Sequence, residues 1–187
     1  MPDVNDARHS AVTLKVHGFK EKLEEGEKFE AILDSYFETW YDIAAQKELQ
    51  KLGIDRIFTS KSSQERYSVE YKSDSRAAKT ENFFIETVSV DVAGKAGWAL
   101  TSCAQLICFF IPPKNQVVIV EGYLIKKMLT QWKASYPTKK ALNPGYASRG
   151  ILVPVKEVEK LGITFTIESN PLGEMGERDL GKIYLAA

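Results

Sequence analysis

The segment 106–111, with the sequence LICFFI, is an unbroken apolar run that ends at Pro112 and Pro113. A strand with one face in water alternates apolar and polar residues, whereas a strand covered on both faces does not. The prolines end the run because proline cannot donate a hydrogen bond to a β-ladder. The run therefore predicts a strand buried on both faces, in a sheet that other elements cover on two sides.

Helix and strand patterns surround this run. Apolar residues recur at helical spacing through 24–52, which predicts a long helix with a break between Thr39 and Asp42. Polar stretches predict loops at 72–81 and 136–150. The other predicted elements are a β-like run at 11–19, strands at 54–58, 66–72, 82–90, 117–120, 151–153 and 163–167, and helices at 98–104, 123–132 and 155–161. This order predicts an α/β fold, in which a central mixed β-sheet is flanked by helices.

The length of 187 residues suits one domain with a substantial core. We expect that core at about 24–167, with a polar N-terminal and a Gly-rich C-terminal extension. No stretch approaches the roughly 18 apolar residues of a membrane-spanning helix, and the first residues lack a signal-peptide pattern, so we expect a cytoplasmic protein with no membrane partner. Cys103 and Cys108 have no second pair and no histidine neighbour, which predicts buried free thiols.

The charge is balanced overall but unevenly distributed. The chain has 25 basic and 25 acidic residues, yet no acidic residue lies between Glu121 and Glu157. The basic residues in or beside this interval are Lys126, Lys127, Lys133, Lys139, Lys140, Arg149 and Lys156. Such a strip can neutralise phosphates, and Lys139, Lys140 and Arg149 are candidate nucleic-acid contacts. A solvated helix face followed by a loop would give the same pattern.

Asp55, Glu70 and Lys72 form the pattern with the clearest chemical meaning. Residues two apart on a strand project to one face, so Glu70 and Lys72 are expected side by side while Tyr71 faces the other way. If the strand that begins near Ile54 pairs with the strand that ends near Lys72, Asp55 lies beside Glu70. Two carboxylates and an ammonium would then meet at one point, which a packed core does not favour.

Phosphodiester cleavage can use such a cluster. Mg²⁺ prefers oxygen ligands and takes one or two protein carboxylates while it keeps waters and phosphate oxygens. Asp55 and Glu70 are therefore candidate ligands, and the backbone carbonyl of Tyr71 could add another oxygen. Lys72 could hold or deprotonate an attacking water, or stabilise the charged transition state. The alternative is a solvated, salt-bridged strand face, because Glu-x-Lys is common on exposed strands.

The wider sequence resembles the PD-(D/E)XK nuclease superfamily, and in particular its bacterial and phage-type members. The likeness is carried by QKELQKLGIDRI at 46–57, RYSVEYK at 66–72, AAKTENFFIETVS at 77–89 and GWALTSCAQLICFF at 97–110. In that group a G-I-D strand start, a V-E-x-K strand and a K-T-x-N-x-F-x-E segment follow one another in this order. The likeness covers roughly 30–120, and GILVPVKEVEKLG at 150–162 less clearly. The proline that often precedes the first aspartate of the superfamily is absent here.

The resemblance implies a restriction-endonuclease-like sandwich and an endonuclease that hydrolyses phosphodiester bonds in DNA with Mg²⁺, for which Mn²⁺ can substitute. It implies that Asp55 and Glu70 bind the metal and that Lys72 is the catalytic lysine. Members often add a carboxylate from a helix, for which Glu30 is the candidate, although it could be an ordinary surface residue. Some members place a polar residue near the scissile phosphate, and Gln105 holds that position here.

Several further residues are candidates around this centre. Glu86 is either an acid that supports the site or an edge charge. Lys79, Thr80 and Asn82 follow the predicted active strand and can contact phosphates, unless Asn82 only shapes the turn. Residues that can stack on an exposed base are Trp98, Tyr136 and Tyr146. For Trp98 the competing interpretation is a core position.

Three functions remain open at this point. The first is a DNA endonuclease, with restriction, homing, junction-resolving and repair roles not separable by sequence. The second is a nucleic-acid-binding or assembly protein that keeps the nuclease fold without turnover. The third is a nuclease that is active only as a homodimer, since symmetric duplex sites favour two-fold partners.

Overall fold

The structure, a computed structural model, describes residues 23–143 and 145–167. The predicted β-like run at 11–19 and the C-terminal extension lie outside the described residues. Helix α1 occupies 23–37. The other helices are α2 (Lys47–Gln50), α3 (Ala77–Thr80), α4 (Trp98–Thr101), α5 (Gly122–Ser135) and α6 (Val155–Glu159). The strands are β1 (Tyr41–Ala44), β2 (Arg56–Ser60), β3 (Arg66–Ser73), β4 (Asn82–Val90), β5 (Lys95–Ala96), β6 (Leu106–Ile111), β7 (Gln116–Glu121), β8 (Thr138–Asn143), β9 (Tyr146–Pro154) and β10 (Gly162–Thr166).

The strands form two sheets. The larger sheet has the order β1-β2-β3-β6-β7-β10, and the smaller has the order β5-β4-β9-β8. In the larger sheet β3 and β6 run parallel, and the other neighbouring pairs are antiparallel. All pairs of the smaller sheet are antiparallel. The predicted mixed α/β architecture with a mixed central sheet is therefore confirmed.

Strand β6 is the centre of the core, as the apolar run predicted. Each of its six residues is buried. Leu106, Cys108 and Phe110 face an apolar layer that includes residues of α1, while Ile107 and Phe109 face a second layer formed with the smaller sheet and α5. One flank of the central sheet is therefore covered by helix α5 together with a second sheet, and the second sheet is what the sequence did not predict.

The long helix predicted at 24–52 is wrong beyond residue 37. The chain turns at 38–40, and Tyr41–Ala44 forms strand β1 before the single turn of α2. Tyr41 is buried, with its ring centroid 5.3 Å from that of Phe58 across the strand pair. The sequence pattern did not show this helix end, because the aromatic residues that continue the helical spacing are also favoured in strands. The next strand also begins later than predicted, at Arg56.

The loop predicted at 136–150 is also wrong, because most of it is the hairpin of β8 and β9. Strand β8 lies at the edge of the smaller sheet and carries Lys139 and Lys140, a composition that suits an edge strand exposed to water. Strand β9 extends along β4, so tertiary pairing fixes a segment whose own sequence resembles a loop. Smaller corrections are a helical turn, α3, within the predicted loop 72–81, and Cys103, which is exposed while Cys108 is buried.

Phe109 connects the two sheets and is the basis of a stability prediction. Its ring centroid lies 4.5 Å from that of Phe83 on β4, and it is 2 % exposed. We expect Phe109→Ala to lower the free energy of unfolding by about 3–5 kcal/mol, since the cavity would lie between the sheets. Urea unfolding followed by circular dichroism measures this. Leu142→Ala, at a position 85 % exposed, is the control and should change it by less than about 0.5 kcal/mol. Equal effects of the two substitutions would contradict the packing described here.

Candidate active site

The candidate site forms where the pairing of β2 and β3 ends. Arg56 on β2 is opposite Val69 on β3, and one further step in this register places Asp55 opposite Glu70. The Asp55 amide donates to the Val69 carbonyl at 2.9 Å. The amide of Tyr71 donates to Oδ2 of Asp55 at 2.8 Å, so a side chain takes the place of a backbone acceptor. Asp55 is thus held beside the stretch Glu70-Tyr71-Lys72, as the sequence predicted.

Glu70 and Lys72 lie side by side on one face of β3. The Lys72 ammonium forms a salt bridge with Oε1 of Glu70. Glu70 is 3 % exposed, whereas the Lys72 side chain is 29 % exposed. A carboxylate that loses water needs a partner charge, and Lys72 supplies it. The pair therefore connects a buried acid with the protein surface.

The second oxygen of Glu70, Oε2, is buried without a hydrogen-bond partner in the described part of the chain. Gly53 lies next to it: a Cβ at Gly53 would be 2.6 Å from this oxygen and 2.9 Å from Cα of Ser102. Ser102 keeps the glycine in place by donating from its hydroxyl to the Gly53 carbonyl at 2.8 Å. An unpaired buried carboxylate oxygen is costly unless a water or a cation binds it. A Cβ at this position would press on the oxygen and on Ser102, so the close approach of Glu70 requires a glycine here.

These residues fit the requirements of Mg²⁺. The donors are the hard oxygens of the Asp55 and Glu70 carboxylates. The backbone carbonyl of Tyr71 stays a predicted third ligand. No group of three or more His, Cys, Asp or Glu side chains suited to a metal ion occurs within 23–143 and 145–167. Mg²⁺ does not require one, since it commonly uses one or two carboxylates and retains waters. The unpartnered Oε2 of Glu70 is the observation that supports the fit.

Behind Asp55, a polar network connects β2 and β3 to helix α1. Arg56 Nε donates to both carboxylate oxygens of Asp34, at 3.1 and 3.0 Å, and Arg56 Nη2 lies 2.9 Å from Oε2 of Glu30. Arg56 Nη1 also donates to the Asp55 carbonyl at 3.0 Å. The hydroxyl of Tyr71 donates to Asp34 at 2.9 Å. Arg56 and Asp34 therefore position both Asp55 and the strand that carries Tyr71.

Glu30 belongs to this network, which makes it more than an ordinary surface residue. Burial raises the pKa of Glu30, and the charges of Asp55 and Asp34 raise it further, while Arg56 opposes them. Asp34 and Arg56 were missed by sequence reasoning. The spacing of Glu30 and Asp34, four residues apart on a helix and therefore on one face, was the available signal.

Tyr71 faces away from Glu70 and Lys72, as the strand period predicted. Its ring is buried against the α1 layer, and the guanidinium of Arg56 lies 5.5 Å from the ring centroid. Burial raises the pKa of the Tyr71 hydroxyl, so the hydroxyl stays neutral and donates to Asp34. The side chain holds strand β3 in position from below the site.

Gln105 lies at the start of β6, near the opposite end of this face of β3. Its side-chain Oε1 accepts from the backbone amide of Ser68 at 2.9 Å, and the backbone amide of Gln105 donates to Oγ of Ser68 at 3.0 Å. Ser68 is two residues before Glu70 and therefore on the same face of the strand. The contacts of Gln105 thus connect the two strands where the parallel pair β3–β6 begins. A contact between Gln105 and a phosphate stays a prediction.

A cleft of about 650 Å³ opens next to Lys72, between the end of β3 and the smaller sheet. Its wall includes Lys72 and four of the residues predicted from sequence to contact nucleic acid: Thr80, Asn82, Lys139 and Lys140. Glu86 and Trp98 also line it, with Nζ of Lys72 5.5 Å from the centroid of the Trp98 rings. Lys79 and Arg149 are exposed but do not line the cleft.

Thr80 and Asn82 also shape the turn between α3 and β4. The Asn82 amide donates to Oγ1 of Thr80 at 3.3 Å, and the Thr80 hydroxyl donates to the Asn82 carbonyl at 3.3 Å. Glu81 between them has a φ of +51°, in the left-handed region that asparagine and glycine favour. Asn82 therefore shapes the turn and also lines the cleft with Thr80, and a contact of either residue with a phosphate stays a prediction.

Comparison of the chain with protein-family models, with curated proteins and with solved structures finds no match. Within the part of the chain that the structure describes, no helix is both long and apolar enough to cross a membrane. The case for a function therefore depends on the geometry of the site.

Gly53 provides a test of the site's geometry. Alanine at this position must adopt a φ of +66° and place a Cβ 2.6 Å from Oε2 of Glu70. Gly94 is a matched control, because its φ is +61° but a Cβ there would meet nothing within 4 Å. We expect Gly94→Ala to cost about 1–2 kcal/mol of unfolding free energy through backbone strain alone. Gly53→Ala should cost roughly 1–3 kcal/mol more, through the clash. Equal losses in urea unfolding would show that Glu70 does not occupy the space beside Gly53.

Proposed function

We propose that the protein is a metal-dependent endonuclease of the PD-(D/E)XK type, with a restriction-endonuclease-like fold, which hydrolyses phosphodiester bonds in DNA with Mg²⁺. The observation that carries the proposal lies at the end of the β2–β3 pairing, where the register continues to place Asp55 opposite Glu70. There Asp55 accepts from the Tyr71 amide and Lys72 pairs with Glu70. Glu70 has a buried oxygen without a partner, and Lys72 extends from the buried acid to the wall of a basic cleft. The sequence resemblance to this superfamily supports the same three residues.

Each residue has a distinct task in the proposed reaction. Asp55 and Glu70 would hold the ion, with Asp55 oriented by the Tyr71 amide and Glu70 by Lys72. Bound Mg²⁺ supplies positive charge that offsets the negative charge developing on the phosphate oxygens. Lys72 would donate hydrogen bonds to a phosphate or to an attacking water, since its side chain is partly exposed and lines the cleft. The network of Glu30, Asp34 and Arg56 acts on these groups by positioning them.

The cleft supports a substrate that carries negative charge. Lys139 and Lys140 on the edge strand β8 are both exposed, and both line the cleft beside Lys72. Lysine ammonium groups on a rim of this kind neutralise phosphates without reading bases. The cations that would bind the DNA backbone are thus adjacent to the residue that would act on it.

A second candidate function is that of a nucleic-acid-binding or assembly protein without turnover. The observation in its favour is that Glu70 is nearly inaccessible and already paired with Lys72. An ion pair of this type can serve structure alone. Under this alternative the cleft binds DNA and the carboxylates never bind a metal.

Cleavage assays separate the two candidates. Supercoiled, linear, single-stranded and four-way-junction DNA are incubated with the purified protein in Mg²⁺, in Mn²⁺ or in EDTA, and the products are resolved on gels. We expect metal-dependent cleavage that falls by roughly 100-fold or more in Lys72→Met and in Asp55→Asn, since each removes a group that acts on the transition state.

The controls for that assay keep charge changes matched. Lys126→Met and Asp42→Asn remove the same charges at exposed positions on α5 and β1, and both should leave cleavage unchanged. Activity that survives in Asp55→Asn and in Lys72→Met would overturn the proposed site. Binding to DNA without cleavage in either metal would favour the second candidate.

Calorimetry with Mn²⁺ tests the metal site independently of turnover. We expect Lys72→Met to retain Mn²⁺ binding, because the ammonium is not a ligand and the ion itself compensates the charge of Glu70. Asp55→Asn and Glu70→Gln should each weaken Mn²⁺ binding by roughly 100-fold. Loss of a residue that only supports a metal ligand already weakens metal binding by about 10- to 100-fold, and loss of a ligand should cost at least as much. Mn²⁺ binding that is unaffected by both substitutions would place the metal elsewhere.

A further inference from the structure

We propose that the cleft beside Lys72 binds unpaired nucleotides of single-stranded DNA, with a base against Trp98 and Phe84 and with phosphates on Lys139 and Lys140. The inference rests on the proposed function for its choice of DNA as the ligand. It adds the class of substrate, which the residues of the candidate active site do not determine.

The size and shape of the cleft favour an unpaired strand. Its volume of about 650 Å³ is within the roughly 300–1,000 Å³ of sites that take small organic molecules, and it is a recess in the protein. Duplex DNA is read by elements that protrude into grooves, of which the major groove is about 12 Å wide. A recess of this volume can instead take one or two nucleotides that have left the base stack or were never paired.

The lining combines aromatic and basic side chains. Trp98 and Phe84 are half-buried, so each is held by the protein and still has exposed surface at the cleft. Trp98 packs edge-on against Phe109 at 5.9 Å, and Phe84 lies against Gly150, where a Cβ would be 2.7 Å from the ring. Rings fixed in this way lose little entropy when a base stacks on them, and bases of any sequence can stack.

The charges of the lining favour a phosphate backbone. Its cations are Lys72, Arg76, Lys139 and Lys140, and its acids are Asp74 and Glu86. Asp74 is occupied by the fold, because its Oδ1 accepts from the backbone amides of Arg76 and Ala77 at the start of α3. Lys140 lies 3.8 Å from Asp91 but is 55 % exposed in its side chain, and Lys139 is exposed. Lysines and aromatic rings in one cleft supply the two kinds of contact that a single strand uses, one to its phosphates and one to its bases.

Two of the polar side chains in the cleft are not free to read a base sequence. The side chains of Thr80 and Asn82 are engaged in the turn that they form. Binding should therefore depend on strandedness and on salt, and much less on sequence. It would place the sugar-phosphate chain next to Lys72, the residue of the candidate active site that lines the cleft.

Binding in EDTA tests the inference without any need for cleavage. The probes are a labelled 24-nucleotide oligo(dT) and a 12-base-pair duplex without a loop, which carry nearly the same number of phosphates, measured by anisotropy at two salt concentrations. We expect the single strand to bind at least tenfold more tightly than the duplex. The Lys139→Gln/Lys140→Gln double variant should weaken its binding and reduce the salt dependence. The Lys126→Gln/Lys127→Gln variant, an equal charge change at exposed positions of α5 away from the cleft, should bind as the unaltered protein does.

Tryptophan fluorescence reports on the aromatic wall. The protein has three tryptophans, of which Trp132 is 1 % exposed. We expect oligo(dT) to quench part of the emission, and Trp98→Phe to abolish most of that quenching. Trp98→Leu should weaken binding by roughly 5- to 100-fold, the loss of one base stack.

The outcomes distinguish this inference from the proposed function. Equal or tighter binding of the duplex, or equal losses in the two lysine double variants, would overturn the single-strand site even if metal-dependent cleavage is observed. Selective single-strand binding that depends on Trp98 supports the site. That result would support the single-strand site even if the cleavage assay shows no cleavage and the nuclease proposal is wrong.

Discussion

A carboxylate that is removed from water requires a cation beside it, and Glu70 depends on Lys72 for that charge. The two residues are neighbours on one face of β3 because of the strand period alone. If Lys72 were lost without any other change, the uncompensated buried charge would cost about 3–5 kcal/mol. The arrangement of the candidate site follows from this pair, since Lys72 must stay near the surface while Glu70 stays below it. Gly53 and Ser102 complete the enclosure around the other oxygen of Glu70.

The polar network under the site has a different purpose from the pair itself. Arg56 contacts Asp34 and Glu30 of α1 and the backbone of Asp55, and Tyr71 reaches the same Asp34. Helix α1 is therefore connected to both strands that carry the candidate site. A change in how α1 packs would move Asp55 relative to Glu70, so the network fixes the relative position of these two acids.

The smaller sheet forms one wall of the cleft beside Lys72. Phe83 and Phe109 stack between the sheets and fix β4 against β6. Strand β9 then positions the edge strand β8, so Lys139 and Lys140 reach the cleft that Lys72 lines. The candidate site on the larger sheet and the two lysines on the smaller sheet are therefore held in position by the apolar layer between the two sheets.

The sequence by itself determined the elements whose pattern is local. The run 106–111 predicted β6 to the residue, the period of two put Glu70 and Lys72 on one face, and the segment after Gly53 predicted that Asp55 lies beside them. It did not reveal β1 or the β8–β9 hairpin, because both depend on pairing with a strand outside their own segment, namely β2 for the first and the more distant β4 for the second. Only the tertiary structure decided that Arg56 and Asp34 support the site, that Oε2 of Glu70 lacks a partner, and that Lys139 and Lys140 meet Lys72 at one cleft. The physical reason is that strand period and apolar runs act over a few residues, whereas burial, ion pairing and clefts are set by which distant surfaces come together.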